Sequence, residues 1–132
     1  QRLLLAQVGK PYIYGREVRM DDPNPSSFDC SELAEWEWHQ LGYDFPDGCI
    51  YQIKACVPVE KPKPLDMFFL KHPTTGMAHH VGFIYDKNFV IHAKGTNYGV
   101  VKEDLFAYVE RNHRSFAGIW RHKKVYDESF VS

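Results

Sequence analysis

Cys30, His80 and His92 are of the types, and at the positions, that acyl transfer by a thiol requires. Cysteine attacks as the thiolate, and a helix N-terminus favours the thiolate because its unpaired N–H groups and dipole stabilise negative charge. In Phe28-Asp29-Cys30-Ser31-Glu32, Asp29 is a good N-cap and Glu32, three residues on, completes a capping box. Cys30 therefore falls in the first turn of a helix, where free amides can also hold an oxyanion. The same position suits a small buried hydrophobe, and placement alone leaves both readings open. What distinguishes them is a base. With a turn at Asp86-Lys87, His80 and His92 lie six and five residues from it, at the same open end of a hairpin, where strand alternation lets them share a face. His79 points to the opposite face. A base beside a thiol, with a second group that fixes the base's tautomer, is the arrangement that thiol catalysis needs.

The elements that must position these groups follow from pattern. Arg2 to Val8 reads as a short helix ended by Gly9 and Pro11, and residues 21–27 and 57–64 read as Pro-rich loops. The helix that begins after Asp29 runs to about Leu41, with Leu33, Ala34, Trp38 and Leu41 on one face, Trp36 off it, and Gly42 as the stop. A second helical stretch starts at Cys49 and ends near Ala55, with Cys49, Ile50, Ile53, Cys56 and Val57 as its apolar stripe. Residues 66–70, 80–85, 88–92 and 116–121 read as strands, and residues 99–101 as an edge strand. Residues 102–109 read as a short helix. Helices first and strands later give an α+β layout, N-terminal helices packed on a small antiparallel sheet, in a single domain spanning residues 1–132.

Composition excludes several classes. The 132 residues carry 16 Lys+Arg against 17 Asp+Glu, a formal charge of -1, which disfavours a phosphate-tracking nucleic-acid module. The chain is 44% hydrophobic and 15% aromatic, too apolar for disorder. No apolar run is long enough to span a bilayer, and Leu3-Leu4-Leu5-Ala6 is too short for a signal peptide. Any export signal is expected outside these residues, and a chain that starts at Gln1 reads as one domain of a longer protein. Three Cys make a poor disulfide framework, and with seven His they raise the question of zinc. No Cys-x2-Cys or His-x3-His pair is present, however, so no metal or other cofactor is expected. Cys49 and Cys56, seven residues apart on one helix, would be separated by about 10.5 Å of rise, too far for a disulfide.

The segments Gly9-Lys10-Pro11-Tyr12-Ile13-Tyr14-Gly15, Phe28-Asp29-Cys30-Ser31-Glu32-Leu33, Pro64-Leu65-Asp66-Met67-Phe68-Phe69, His80-Val81-Gly82-Phe83-Ile84-Tyr85 and Val90-Ile91-His92-Ala93 resemble, in order and spacing, the NlpC/p60 family of cell-wall cysteine peptidases. The resemblance implies a papain-like α+β fold and cleavage of peptidoglycan stem peptides, often at the bond between D-γ-glutamate and a diamino acid. It implies Cys30 as nucleophile, His80 as general base, His92 as the group orienting that base, and Tyr12 as an aid to the oxyanion. Asp29 and Ser31 stand where relatives contact the amino end of the stem peptide. It also implies action outside the cell or at the wall, and a phage lysin or tail-associated hydrolase would fit the same pattern.

The chain departs from the family at Glu32, where a small residue is usual, at Gly15-Arg16 in place of paired glycines, and at Pro64-Leu65-Asp66 in place of Pro-Gly-Asp. These changes spare the catalytic positions and bear on the substrate subsites. Two other functions remain open from sequence. One is a non-catalytic wall- or protein-binding module using the aromatics, Trp36 and Trp120 among them. The other is a related amidase or acyltransferase.

Overall fold

The computed structural model describes residues 1–15 and 17–130. Arg16, and with it the second position of the Gly15-Arg16 departure, lies outside the described residues. In chain order the elements are α1 (Arg2–Leu5), α2 (Cys30–Gln40), α3 (Cys49–Lys54), β1 (Cys56–Val59), β2 (Met67–Lys71), β3 (Ala78–Ile84), β4 (Phe89–Gly95), β5 (Gly99–Asp104), α4 (Leu105–Arg111), β6 (Phe116–His122) and α5 (Lys123–Glu128). The strands form one six-stranded antiparallel sheet in the order β1-β6-β2-β3-β4-β5. Helices precede the sheet, as the α+β reading predicts. No helix among the described residues is long and apolar enough to cross a membrane.

Alternation along the strands builds two cores, one on each face of the sheet. Met67, Phe69, Val81, Phe83, Ile91 and Ala93 pack with Leu4, Leu33 and Trp38 of the N-terminal helices. Phe68, Leu70, Ile84 and Val90 pack on the other face against Leu105 and Tyr108 of α4. His80 and His92 share the parity of this second set. At Gly82, between them in sequence, an added Cβ would collide with the Phe68 ring and come within 2.6 Å of His92 Cβ, so the glycine is what lets these two side chains close over the sheet.

Several sequence expectations shift. The first helix ends at Leu5 rather than Val8, with turns to Gly9, because Leu5 and Val8 face solvent and Leu4 is the one apolar residue buried there. Trp36 is fully buried, its indole N–H donating to Asp22 O at 2.7 Å, because the loop before α2 folds over that side; Leu41, expected in the core, is exposed as the C-cap. Cys56 is not on the α3 stripe at all. It opens β1, and the first three residues of the Pro-rich segment read as loop, 57–59, belong to this edge strand, where Pro58 needs no ladder N–H, while residues 60–64 are loop as expected. The hairpin joining β3 and β4 turns through residues 85–88, with Asp86 Oδ1 accepting from the N–H groups of Asn88 and Phe89. Residues 102–104 extend β5 instead of opening a helix, since Asp104 itself caps α4 by accepting from Ala107 N at 2.9 Å. The last helix, α5, has no counterpart in the sequence reading.

Three ionisable groups are committed to the fold. Asp66 and Arg121 form a buried bidentate pair at 2.8 Å, and Asp66 also accepts from Lys63 N. The turn before Asp66 puts Leu65 at φ 74°, the left-handed region that the glycine of a Pro-Gly-Asp motif would enter without strain. Glu37 of α2 is fully buried, and neither carboxylate oxygen has a hydrogen-bond partner among the described residues. Burial pushes its carboxyl up to about 7. A raised carboxyl means that the native state holds the proton longer than the unfolded chain, so the contribution of Glu37 to stability is fully present below about pH 4.5 and is lost as pH rises through 7. Glu37→Gln is expected to flatten that fall and to stabilise the protein at pH 8 by about 2 kcal/mol, read as the difference between urea midpoints at pH 5 and pH 8.

Candidate active site

Cys30 is the first residue of α2, which begins there because Asp29 caps it: the Asp29 carboxylate accepts from Glu32 N at 2.8 Å and from Ser31 Oγ at 3.3 Å. The reciprocal half of the expected capping box is absent. The Glu32 side chain is buried and accepts instead from Val18 N at 2.9 Å, tying the loop before α2 to the helix. Burial, foremost, lifts its carboxyl to about 8. Gln52 of α3 braces the same turn, donating to Ser31 O at 2.9 Å and Pro46 O at 2.8 Å.

Hairpin geometry brings the two histidines together as predicted. His80 Nε2 lies 2.7 Å from His92 Nδ1, with the rings edge to face at 5.0 Å between centroids. His80 is half-buried and His92 is buried. Burial, with the nearby His80, lowers His92 to about 4, so its ring is neutral at neutral pH. His79 points to the exposed side and stacks on His72.

Four influences act on the Cys30 thiol. Cys49, whose sulfur is 3.9 Å away, favours the thiolate as a hydrogen-bond donor; burial opposes ionisation; and His80, through hydrogen bonding and charge, and the Val81 N–H favour it further. Together they bring the thiol down to about 4. Cys49 moves in the opposite sense, far above the ordinary thiol range, through the same sulfur contact and burial. It remains a thiol and a donor. Sequence placed Cys49 on a core stripe; it is buried, as that reading required, but against the Cys30 sulfur.

Tyr12 is held beside Phe28 by a short parallel bridge, with Ile13 N donating to Phe28 O at 3.1 Å and Phe28 N to Pro11 O at 3.2 Å. Its hydroxyl is pushed up to about 12 by burial and by the negative charge at Cys30 and Asp29, so it stays protonated and able to donate. Two clefts flank Cys30 and share Tyr12, Cys30 and His79. One, of about 330 Å³, is lined by His80, His92, Lys94, Tyr108 and Arg111; the other, of about 360 Å³, by Tyr14, Asp29, Ser31, Gly48, Cys49 and Tyr51. Every residue singled out from sequence thus lies at one place. Two that were missed, Cys49 and Glu103, lie there too: Glu103 Oε2 is 2.7 Å from His92 Nε2. An Asp followed by Leu-Phe-Ala at residues 104–107 is the signal that would have ended the strand at Asp104 and left Glu103 on it.

The carboxylates of Glu32, Glu35 and Asp47 are the group among the described residues close enough to share a metal ion, within 4.8 Å of one another. They stand apart from the clefts and are not Cys or His.

Comparison with known proteins gives the geometry a family. No curated protein sequence matches the chain. Among solved structures, it is similar to a lipoprotein-like NLP/P60 family protein of Staphylococcus aureus, at 24% identity and TM-score 0.70, over 92% of this chain and 39% of that one. It is similar to NlpC2 of Trichomonas vaginalis, at 21% identity and TM-score 0.73, over 91% and 45%. It is also similar to the NlpC/p60 domain of the peptidoglycan hydrolase SagA, at 25% identity and TM-score 0.66, over 81% and 87%. The chain spans less than half the length of the first two. These likenesses establish the papain-like α+β fold, and the NlpC/P60 family model matches residues 9–119, which hold Tyr12, Cys30, both histidines and the whole sheet up to the middle of β6. A thiol at a capped helix start facing a histidine pair on a hairpin therefore sits in a chain that belongs to the NlpC/P60 family.

Proposed function

We propose that this chain is a peptidoglycan hydrolase, a cysteine peptidase domain spanning residues 1–132 that cleaves an amide bond in wall stem peptides. The observation that carries the reading is the low-lying Cys30 thiol at the start of α2 opposite the His80–His92 pair. Family membership and the likeness to the SagA hydrolase domain supply the substrate class. The site of action is the cell wall.

In this reading His80 takes the Cys30 proton and the sulfur attacks the amide carbonyl. The oxyanion is held by the main-chain N–H at the start of α2 and by the Tyr12 hydroxyl, both fixed before substrate arrives. The C–N bond breaks as His80 gives its proton to the leaving amine. Water, deprotonated by His80, then releases the acyl group and restores the thiol. His92 orients His80 throughout. No metal or cofactor enters this sequence of steps.

The same proton transfer assigns the clefts. The amine that His80 protonates must depart on the side that His80 lines, so the Lys94–Arg111 cleft takes the leaving residue and the Tyr14–Tyr51 cleft takes the acyl side. Asp29 and Ser31 line the acyl cleft, where they meet the amino end of the stem peptide. The bond is that between D-γ-glutamate and the diamino acid.

Digestion of purified peptidoglycans with defined diaminopimelate or lysine stems, followed by mass analysis, tests this. The expected products carry a new amino terminus on the diamino acid. Products cut only in the glycan, or between sugar and peptide, would refute it, and binding without any cleavage would make the domain a wall-binding module.

A further inference from the structure

We infer that Glu103 is a positioning residue that fixes the proton pattern of the His92–His80 pair, with Lys94 and Arg111 holding its carboxylate in place; this rests on Cys30 being the nucleophile. Glu103 Oε2 lies 2.7 Å from His92 Nε2. An ionised carboxylate only accepts, so His92 Nε2 must carry a proton. His92 is neutral at neutral pH, so its Nδ1 bears a lone pair. That lone pair lies 2.7 Å from His80 Nε2, which must therefore be the nitrogen that carries a proton throughout. The remaining His80 nitrogen, Nδ1, is left free to accept the thiol proton. With the opposite pattern His80 would present an N–H to a thiol and take nothing from it.

Glu103 is built to stay charged. Arg111 donates to its Oε1, and Lys94 Nζ is 3.3 Å from Oε2. Burial works against the charge, but the hydrogen bonds from His92 and Arg111 and the charge of Lys94 overcome it and hold the carboxyl at about 2. It is thus an acceptor at any pH where the protein works. The surroundings on every side are accounted for: His92 meets His80 from β3, Glu103 from β5, Tyr108 from α4 at 4.8 Å between ring centroids and Phe68 from β2 at 5.5 Å. The ionisable groups that act on Cys30 among the described residues are Cys49 from α3, His80, and the more distant Asp29, Tyr12, His79 and Tyr108. Glu103 is the one carboxylate in contact with the histidine pair among the described residues.

The test compares wild type, Glu103→Ala and Glu103→Gln by three readouts: kcat and KM on peptidoglycan, the pH dependence of Cys30 alkylation by iodoacetamide, and thermal midpoint. Alanine leaves His92 free to adopt the other tautomer. The expected result is a kcat lower by on the order of 10- to 100-fold with little change in KM, and an alkylation midpoint moved to higher pH. Glutamine, whose amide oxygen still accepts from His92 Nε2, is expected to recover most of both.

The inference is overturned if alanine leaves kcat and the alkylation midpoint within twofold of wild type, if glutamine is no better than alanine, or if activity merely follows thermal midpoint. Alkylation needs no wall substrate. A wild type that cleaves no peptidoglycan yet shows the low midpoint, shifted by alanine and restored by glutamine, would sink the substrate assignment and leave the relay standing. A wild type whose Cys30 alkylates in the ordinary thiol range would sink both.

Discussion

Replacing His80 by alanine is expected to lower kcat for stem-peptide hydrolysis by on the order of 10³-fold and to move the Cys30 thiol back towards the ordinary range. Two effects combine. In the proposed mechanism the variant loses the group that takes the proton from sulfur and returns it to the leaving amine. It also loses the hydrogen bond and positive charge that help keep the thiol at about 4. The contributions of Cys49 and the Val81 N–H remain, so the thiol should not return fully to the value of a free cysteine. In wild type the thiolate is lost only as pH falls through the low thiol value, so the acid limb of activity is expected near pH 4 to 5. In His80→Ala the residual rate should instead rise with pH as the thiol ionises unaided. Steady-state rates and iodoacetamide alkylation from pH 3.5 to 9 check both halves, and an unchanged alkylation profile would separate His80 from the thiol.

Gly82→Ala carries the second largest effect, and it reaches the site through packing. Gly82 pairs with Phe68 across β2 and β3, and an alanine Cβ there would overlap the Phe68 ring and sit 2.6 Å from His92 Cβ. Neither neighbour can withdraw freely. Phe68 is fully buried, and the His92 ring is held at both nitrogens, by His80 and Glu103. Overpacking of this kind costs about 1–3 kcal/mol, and in the proposed mechanism displacing the ring that orients His80 by about 1 Å costs on the order of 100-fold in rate. The expected outcome is a folded variant with a lower urea midpoint and kcat reduced by about that factor. Wild-type kcat would mean that the sheet accommodates the methyl without moving His92, contrary to the packing described above.

How far the site was legible depends on how local its causes are. Cys30 and Asp29 were legible because an N-cap is a property of five consecutive residues, and the structure keeps it. His80 and His92 were legible because a hairpin converts spacing into proximity. Glu103 was not, because residues 102–109 read as a helix when β5 runs to Asp104 and only then turns. The pairing of His92 with Val101 and of Val90 with Glu103 across β4 and β5 is a matter of register, which no local pattern states. Cys49 was placed correctly on a buried helix face, yet its neighbour in space, Cys30, is set by how α3 docks on α2. Trp36 and Glu32 went astray for a shared reason: the loop before α2 covers that side of the helix, turning an expected surface into core and an expected cap into a brace for Val18.

That the Cys30 thiol performs the hydrolysis is the step on which the proposed mechanism rests. It is tested most directly by digesting one purified peptidoglycan with equal amounts of folded wild type and Cys30→Ala and weighing the products by mass spectrometry. Fragments with new stem-peptide amino termini are expected from wild type and none from the variant. The same fragments from both proteins would contradict it.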